Sequence, residues 1–126
     1  MKTALDLVAA AKAQIDEVDV AHADGAVREA DVLIDVREPE EYAAGHVPGA
    51  INIPRGVLEF QLSSNPALEP RNLKLVIYCK TSGRAALAAL SLKAMGYLDV
   101  CSITGGFDAW AAAGKPVAKP VQPDFS

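Results

Sequence analysis

Apolar residues in this chain follow two rhythms, short β-branched runs and longer alanine–leucine stretches, and the two alternate. Thr3 to Ala13 places Leu5, Val8 and Ala9 on one face, with Thr3 as a cap and Asp6 three residues on, which predicts a helix. Ile15 to Val18 reads as a short strand, and Val20 to Glu29 as a weak helix interrupted by Gly25. The run Asp31 to Val36 has the character of a buried strand. Glu38 to Ala44 reads as a short helix with Pro39 in its first turn and Gly45 closing it. Ala50 to Ile53 is a brief strand ended by Pro54, and Arg55 to Leu62 reads as a helix; Phe60, near Leu58 and Leu62, reads by default as core packing, with the mouth of a pocket as the alternative. Ser63 to Asn72, with its two prolines, is the longest predicted loop. Leu75 to Tyr78 is the central strand, and Arg84 to Met95 is its helix, closed by Gly96. Val100 to Ile103 forms the last strand and Phe107 to Ala113 the last helix. From Gly114 onward three prolines and few apolar residues suggest a tail on the surface.

This alternation implies an α/β fold, a mostly parallel sheet with helices on both faces. At 126 residues it makes one domain. Residues 1–29 read as a helical lead-in, 30–117 as the domain core and 118–126 as the tail. The composition, 51% hydrophobic and 22% charged, is that of an ordinary globular protein. A formal charge of −4 argues against nucleic acid and anionic membranes as partners, because both need a basic face. No apolar run has the length of a membrane span and no leader is visible, so the expected location is the cytoplasm. The two cysteines form no Cys-x-x-Cys pair, and His22 and His46 stand far apart. Neither a metal nor another cofactor is expected.

One segment carries chemistry. The strand Leu75 to Tyr78 ends at Cys79, a polar loop follows, and the helix begins at Arg84. In parallel sheets ligands sit outside the carboxyl ends of the strands, which is where Cys79 falls. Free N–H groups at the first turn of the following helix favour an anion there, and a thiolate is both an anion and the nucleophilic form of cysteine. The residues Cys79 to Arg84 can curl so that several N–H groups converge on one point. Ser82 can add a hydroxyl donor, and Gly83 is expected to allow an unusual turn. Lys80 and Arg84 add positive charge beside that point. Asp35 and Arg37 end a strand at the same edge and could shape the pocket, although an ion pair of Arg37 with Glu41 across a helical turn accounts for them equally well. His46 reads as a backbone-bonded residue, and Gly105, Gly106 and Trp110 as a turn and a core anchor. Cys101 lies inside an apolar strand and reads as buried.

Three stretches together resemble the rhodanese (sulfurtransferase) family: Asp35-Val36-Arg37-Glu38-Pro39-Glu40-Glu41-Tyr42, Gly45-His46-Val47-Pro48-Gly49-Ala50-Ile51-Asn52-Ile53-Pro54, and Tyr78-Cys79 through Arg84 followed by Gly105-Gly106-Phe107-Asp108-Ala109-Trp110. The resemblance covers roughly residues 30 to 117. It implies a single α/β domain with a five-stranded parallel sheet. It also implies a cysteine that takes a sulfane sulfur as a persulfide and passes it to a thiophilic acceptor. On that match Cys79 is the carrier, and Lys80, Thr81, Ser82, Gly83 and Arg84 form its cradle. The implied partners are a small-molecule sulfur donor such as thiosulfate and an acceptor such as cyanide or a thiol, with a protein acceptor open. Thr81 and Glu41 occupy places where two-domain, thiosulfate-specialised members often carry basic residues, so a protein or glutathione persulfide is an alternative donor. Two other readings remain at this stage. One is a phosphatase or arsenate reductase of the Cys-x5-Arg type, whose arginine stands one residue further on than Arg84. The other is a sulfur-carrier or interaction module with little turnover.

Overall fold

The computed structural model describes residues 1–120. Its elements run α1 (Ala4–Lys12), β1 (Asp16–Val18), α2 (Ala23–Glu29), β2 (Val32–Asp35), α3 (Pro39–Ala44), β3 (Ile51–Asn52), α4 (Leu58–Ser64), β4 (Lys74–Tyr78), α5 (Gly83–Ala94), β5 (Asp99–Ile103) and α6 (Gly106–Ala112). The strands form one five-stranded sheet, ordered β1-β5-β4-β2-β3, and every pairing is parallel. The expected α/β architecture is therefore present, with β4 at the centre. Residues 1–29 also supply the edge strand β1, where Asp16 is paired with Cys101 and Val18 with Ile103.

The sheet separates two cores. On one face Ile34, Leu75, Ile77 and Cys79 pack with Leu58 and Leu62 of α4 and with Ala85, Ala88 and Leu92 of α5. On the other, Leu33, Val76, Tyr78 and Ile103 meet Ala23, Val47 and Trp110. Helix α5 buries Ala85, Ala86, Ala88 and Ala89, and these small side chains let its backbone lie close to β4. Helix α1 packs along α5 and is opened by the expected capping box, Thr3 Oγ1 accepting from the Asp6 N–H and Asp6 from the Thr3 N–H.

Several boundaries differ from the sequence expectations. Gly25 lies within α2 and does not interrupt it; the helix starts late, after a turn in which the Asp19 carboxylate accepts the His22 N–H. The stretch Arg55 to Leu62 is split into a 3-10 turn, Arg55–Val57, and α4. Leu58 and Leu62, one helical turn apart, are buried, while Phe60 on the opposite face points to solvent, which corrects its reading as core. The predicted loop Ser63–Asn72 contains a second 3-10 turn, Pro66–Leu68, because the Asn65 side chain accepts the Ala67 N–H and Leu68 is buried. After α6 the chain is tied back: Trp110 Nε1 donates to the Pro116 carbonyl, and Ala118 pairs with His46. Residues 121–126 of the expected tail lie outside the described residues. Among the described residues no helix is long and apolar enough to cross a membrane.

Candidate functional site

Cys79 follows directly on β4, and its side chain points toward α5. It is 1% exposed, so the sulfur lies on the floor of its loop and is not displayed at the surface. Sγ accepts the Ala85 N–H at 3.3 Å. This is one of the free donors of the first turn of α5, where a helix has no carbonyls of its own to offer.

The loop between them is shaped from outside. Phe107 N–H donates to the Cys79 carbonyl at 2.8 Å and Asp108 N–H to that of Lys80 at 3.0 Å, so the first turn of α6 holds the loop by its oxygens. Gly106 makes this approach possible: a Cβ there would lie 2.3 Å from the Cys79 oxygen and 2.4 Å from that of Thr81. Its φ of +56° and that of Gly105, +82°, are also in the region that favours glycine. Peptide units are planar and trans, so each N–H points opposite to the carbonyl before it. With the carbonyls of Cys79, Lys80 and Thr81 turned toward α6, the N–H groups of Lys80, Thr81 and Ser82 face the other way. None of the N–H groups from Lys80 to Arg84 meets an acceptor among the described residues. Five consecutive donors are thus unpaired among the described residues, followed by one on the sulfur, an arrangement with the capacity to hold an anion.

Two expectations for this loop change. Gly83 is the first residue of α5 with no positive φ, and a Cβ there would meet only Val8 Cγ2 at 3.6 Å, an ordinary contact, so neither an unusual turn nor a lack of room requires glycine there. Ser82 stands at the N-cap of α5, but its hydroxyl makes no capping hydrogen bond. The need for glycine falls instead on Gly106, which the sequence reading placed in a turn. The signal available was a glycine pair where a helix normally opens on Ser, Thr, Asp or Asn.

The cations around the loop are paired. Arg84 grips Glu41 through two nitrogens, at 2.7 and 3.1 Å, and this guanidinium holds the Glu41 carboxyl down at about 2. Lys80 Nζ lies 2.9 Å from Asp108. Arg37 does not pair with Glu41 as the turn spacing suggested. Its Nε and Nη2 bind both oxygens of Asp35 at 2.8–3.1 Å, because the strand end faces the guanidinium back onto the residue two before it. Nη2 also donates to the Gly45 carbonyl at 2.6 Å, and the guanidinium lies 4.4 Å from the centre of the Phe107 ring. Asp35 is 0% and Arg37 4% exposed. The pair thus fastens the ends of β2, α3 and α6 together. Arg37 also borders a cavity of about 250 Å³ between Glu41, Gly45, Lys80, Phe107 and Asp108.

Neighbouring groups reinforce this frame. Tyr78 Oη accepts the Val47 N–H at 3.0 Å, and burial raises its phenol above the ordinary value. Tyr78→Phe should cost about 2 kcal/mol in chemical denaturation, the typical penalty for a buried N–H left without its acceptor; an unchanged midpoint would show that the bond contributes nothing. His46 stacks on Tyr42, with ring centres 3.8 Å apart, and its Nδ1 faces the Tyr42 carbonyl at 3.0 Å, a structural arrangement.

The second cysteine lies on the other side of the sheet. Cys101 is in register with Val76 and packs against the core of Tyr78 and Trp110, whereas Cys79 belongs to the opposite core. Burial, with Asp16 and Asp99 nearby, pushes its thiol up to about 11. Since the thiolate is what alkylates, Cys101 in a Cys79→Ser background should react with iodoacetamide at pH 8 about 100-fold more slowly than free cysteine. Reaction at the free-cysteine rate, followed by intact mass, would contradict that placement.

The model of the rhodanese-like domain matches residues 11–113. A sulfurtransferase of Allochromatium vinosum is 34% identical over 89 residues, covering 71% of this chain and 79% of that protein. A probable adenylyltransferase/sulfurtransferase, MoeZ, of Mycobacterium tuberculosis is 37% identical over 93 residues, 74% of this chain, but the match spans only 21% of the longer protein. Among solved structures, a Rhodopseudomonas palustris protein of unknown function, described as a possible tyrosine phosphatase, superimposes with a TM-score of 0.86 at 31% identity, covering 94% of this chain and 96% of its own. With a family model spanning most of its length, a parallel sheet of matching fold and a cysteine loop at the sheet's carboxyl edge, the chain belongs to the rhodanese-like domain family.

Proposed function

We propose that this protein is a rhodanese-type sulfurtransferase that carries sulfane sulfur on Cys79, from thiosulfate or another persulfide donor to cyanide or a thiol. The observation that carries this reading is the run of unpaired N–H groups from Lys80 to Arg84, between Cys79 and the Ala85 N–H that bonds its sulfur. The Cys79 thiolate attacks the outer sulfur of thiosulfate; the new S–S bond forms as the old one breaks, and sulfite leaves with the electron pair. The product Cys79–S–S⁻ puts its charge on a second sulfur about 2 Å further out, toward the loop donors that have no other acceptor. In the second half-reaction cyanide or a thiolate attacks that outer sulfur, and Cys79 leaves as the thiolate. Relatives named as a sulfurtransferase and as a putative sulfur carrier protein support sulfur transfer at the level of the family. A relative named thiosulfate sulfurtransferase, from Arabidopsis thaliana, supports thiosulfate as one donor.

A phosphatase reading draws on the Rhodopseudomonas palustris neighbour. It meets an obstacle in the ion pairs: Arg84, the residue that would clamp a phosphoryl group, is already held at both ends by Glu41. The test is mass spectrometry of the protein after exposure to thiosulfate and, separately, to glutathione persulfide. One added sulfur atom on the Cys79 peptide, removed by cyanide, is expected. No labelling by either donor would sink the proposal, and rapid hydrolysis of an aryl phosphate would replace it with the phosphatase.

A further inference from the structure

The three cations that border the loop and its adjoining cavity each have a carboxylate of their own. Arg84 is closed on Glu41 through two bonds, Lys80 on Asp108, and Arg37 on Asp35. Two of these pairs join residues distant in sequence, 43 and 28 positions apart, so they belong to the assembled site and not to local helix pairing. What remains around the loop is backbone dipoles, with no unpaired cation bordering it among the described residues.

That matters for the donor. Thiosulfate is a dianion that must approach a thiolate, and sulfite leaves as a dianion as well. Oriented amides stabilise the single charge of a persulfide, but a net cation is what draws in a doubly charged small ion and offsets its repulsion from the thiolate. A persulfide of the form R–S–S–H brings no charge on the sulfur to be transferred. The thiolate attacks its outer sulfur, the S–S bond of the donor breaks, RS⁻ leaves with the electron pair, and Cys79–S–S–H then loses its proton to water. At the reacting sulfurs there is a single negative charge until that proton is lost.

The geometry points to Glu41 and Asp108 as the residues that set donor specificity, cancelling the charge of Arg84 and Lys80 so that the site favours thiol persulfides over inorganic thiosulfate. This rests on the sulfur-transfer reading and narrows it. Neither residue touches the sulfur; both act through the cation they hold. Removing either carboxylate frees a cation beside the loop and leaves the backbone donors in place. Glu41→Gln keeps an oxygen for the Glu38 N–H, which Glu41 Oε1 now accepts at 3.0 Å, so the start of α3 can be retained. Asp108→Asn alters an exposed pair and provides an independent test.

The experiment is single-turnover loading of Cys79, quenched at timed intervals with iodoacetamide and read by mass spectrometry. Thiosulfate and glutathione persulfide are supplied in turn, at low and at high salt. The ratio of thiosulfate to persulfide loading rates should rise about fivefold in each variant at low salt, and the gain should shrink at high salt as the freed charge is screened. A purely structural role for the pairs would slow both donors together and leave that ratio and its salt dependence unmoved. An unchanged or lowered ratio in both variants overturns the inference while leaving sulfur transfer intact. Absence of label from both donors in the unaltered protein overturns sulfur transfer itself and this inference with it.

Discussion

Cys79→Ser is expected to lower sulfur transfer by more than about 10³-fold with every donor, the scale on which removal of a covalent nucleophile is felt. A serine oxygen at neutral pH is neither ionised nor able to hold a sulfane sulfur in a bond that a thiol can later break, so both half-reactions are lost together. The surroundings accept the change. The Ala85 N–H now bonds Sγ at 3.3 Å, and a hydroxyl oxygen remains within reach as its acceptor. Stability should stay within about 1 kcal/mol, the net weight of one hydrogen bond. A folded Cys79→Ser protein that retains a tenth of the activity would place the chemistry elsewhere, with Cys101 the remaining thiol among the described residues. Its position on the opposite face of the sheet, and its thiol pushed up to about 11, make it a poor substitute.

The elements of this fold were readable because their signals are local. Thr3 and Asp6 mark a helix start through groups three residues apart, and Pro39 and Gly96 act through their own backbone preferences. The strand Leu75 to Tyr78, the polar loop and the alanine-rich α5 likewise follow one another without interruption, so the position of Cys79 at a strand end could be anticipated. Partner choice among the charges could not. Turn spacing favoured Arg37 with Glu41, yet Arg37 folds back onto Asp35, and Glu41 is claimed by Arg84 from 43 residues away. Both outcomes are decided by how β2, α3 and α5 meet at the edge of the sheet, which no local pattern encodes. The same holds for glycine. Gly83 lies in the loop and Gly106 outside it in sequence, but only the docking of α6 onto the carbonyls of Cys79 and Lys80 shows which position has no room for a side chain.

Gly106→Ala follows from that docking and should have the second-largest effect. The added Cβ would sit 2.3 Å from the Cys79 oxygen, 2.4 Å from the Thr81 oxygen and 2.9 Å from the Lys80 carbonyl carbon. All three are backbone atoms, so no side chain can swing aside, and either α6 retreats or the loop is pushed toward Cys79. Retreat breaks the bonds from the Phe107 and Asp108 N–H groups and loosens Trp110, anchored in the core one turn further along the helix. The φ of +56° adds a further cost of about 1 kcal/mol for any residue with a Cβ. Stability should therefore fall by about 2–4 kcal/mol, within the range of overpacking combined with backbone strain. The effect on sulfur transfer should be larger than stability alone explains, about 10²-fold in a protein still folded at 15 °C, because the donors above Cys79 would be displaced by an ångström or so. The pairing of these two measurements is what makes the test sharp. A Gly106→Ala protein that is destabilised but loads sulfur at the normal rate would show that α6 supports the fold without orienting the loop. One that keeps its stability would show that the contact yields more easily than backbone atoms at these distances allow.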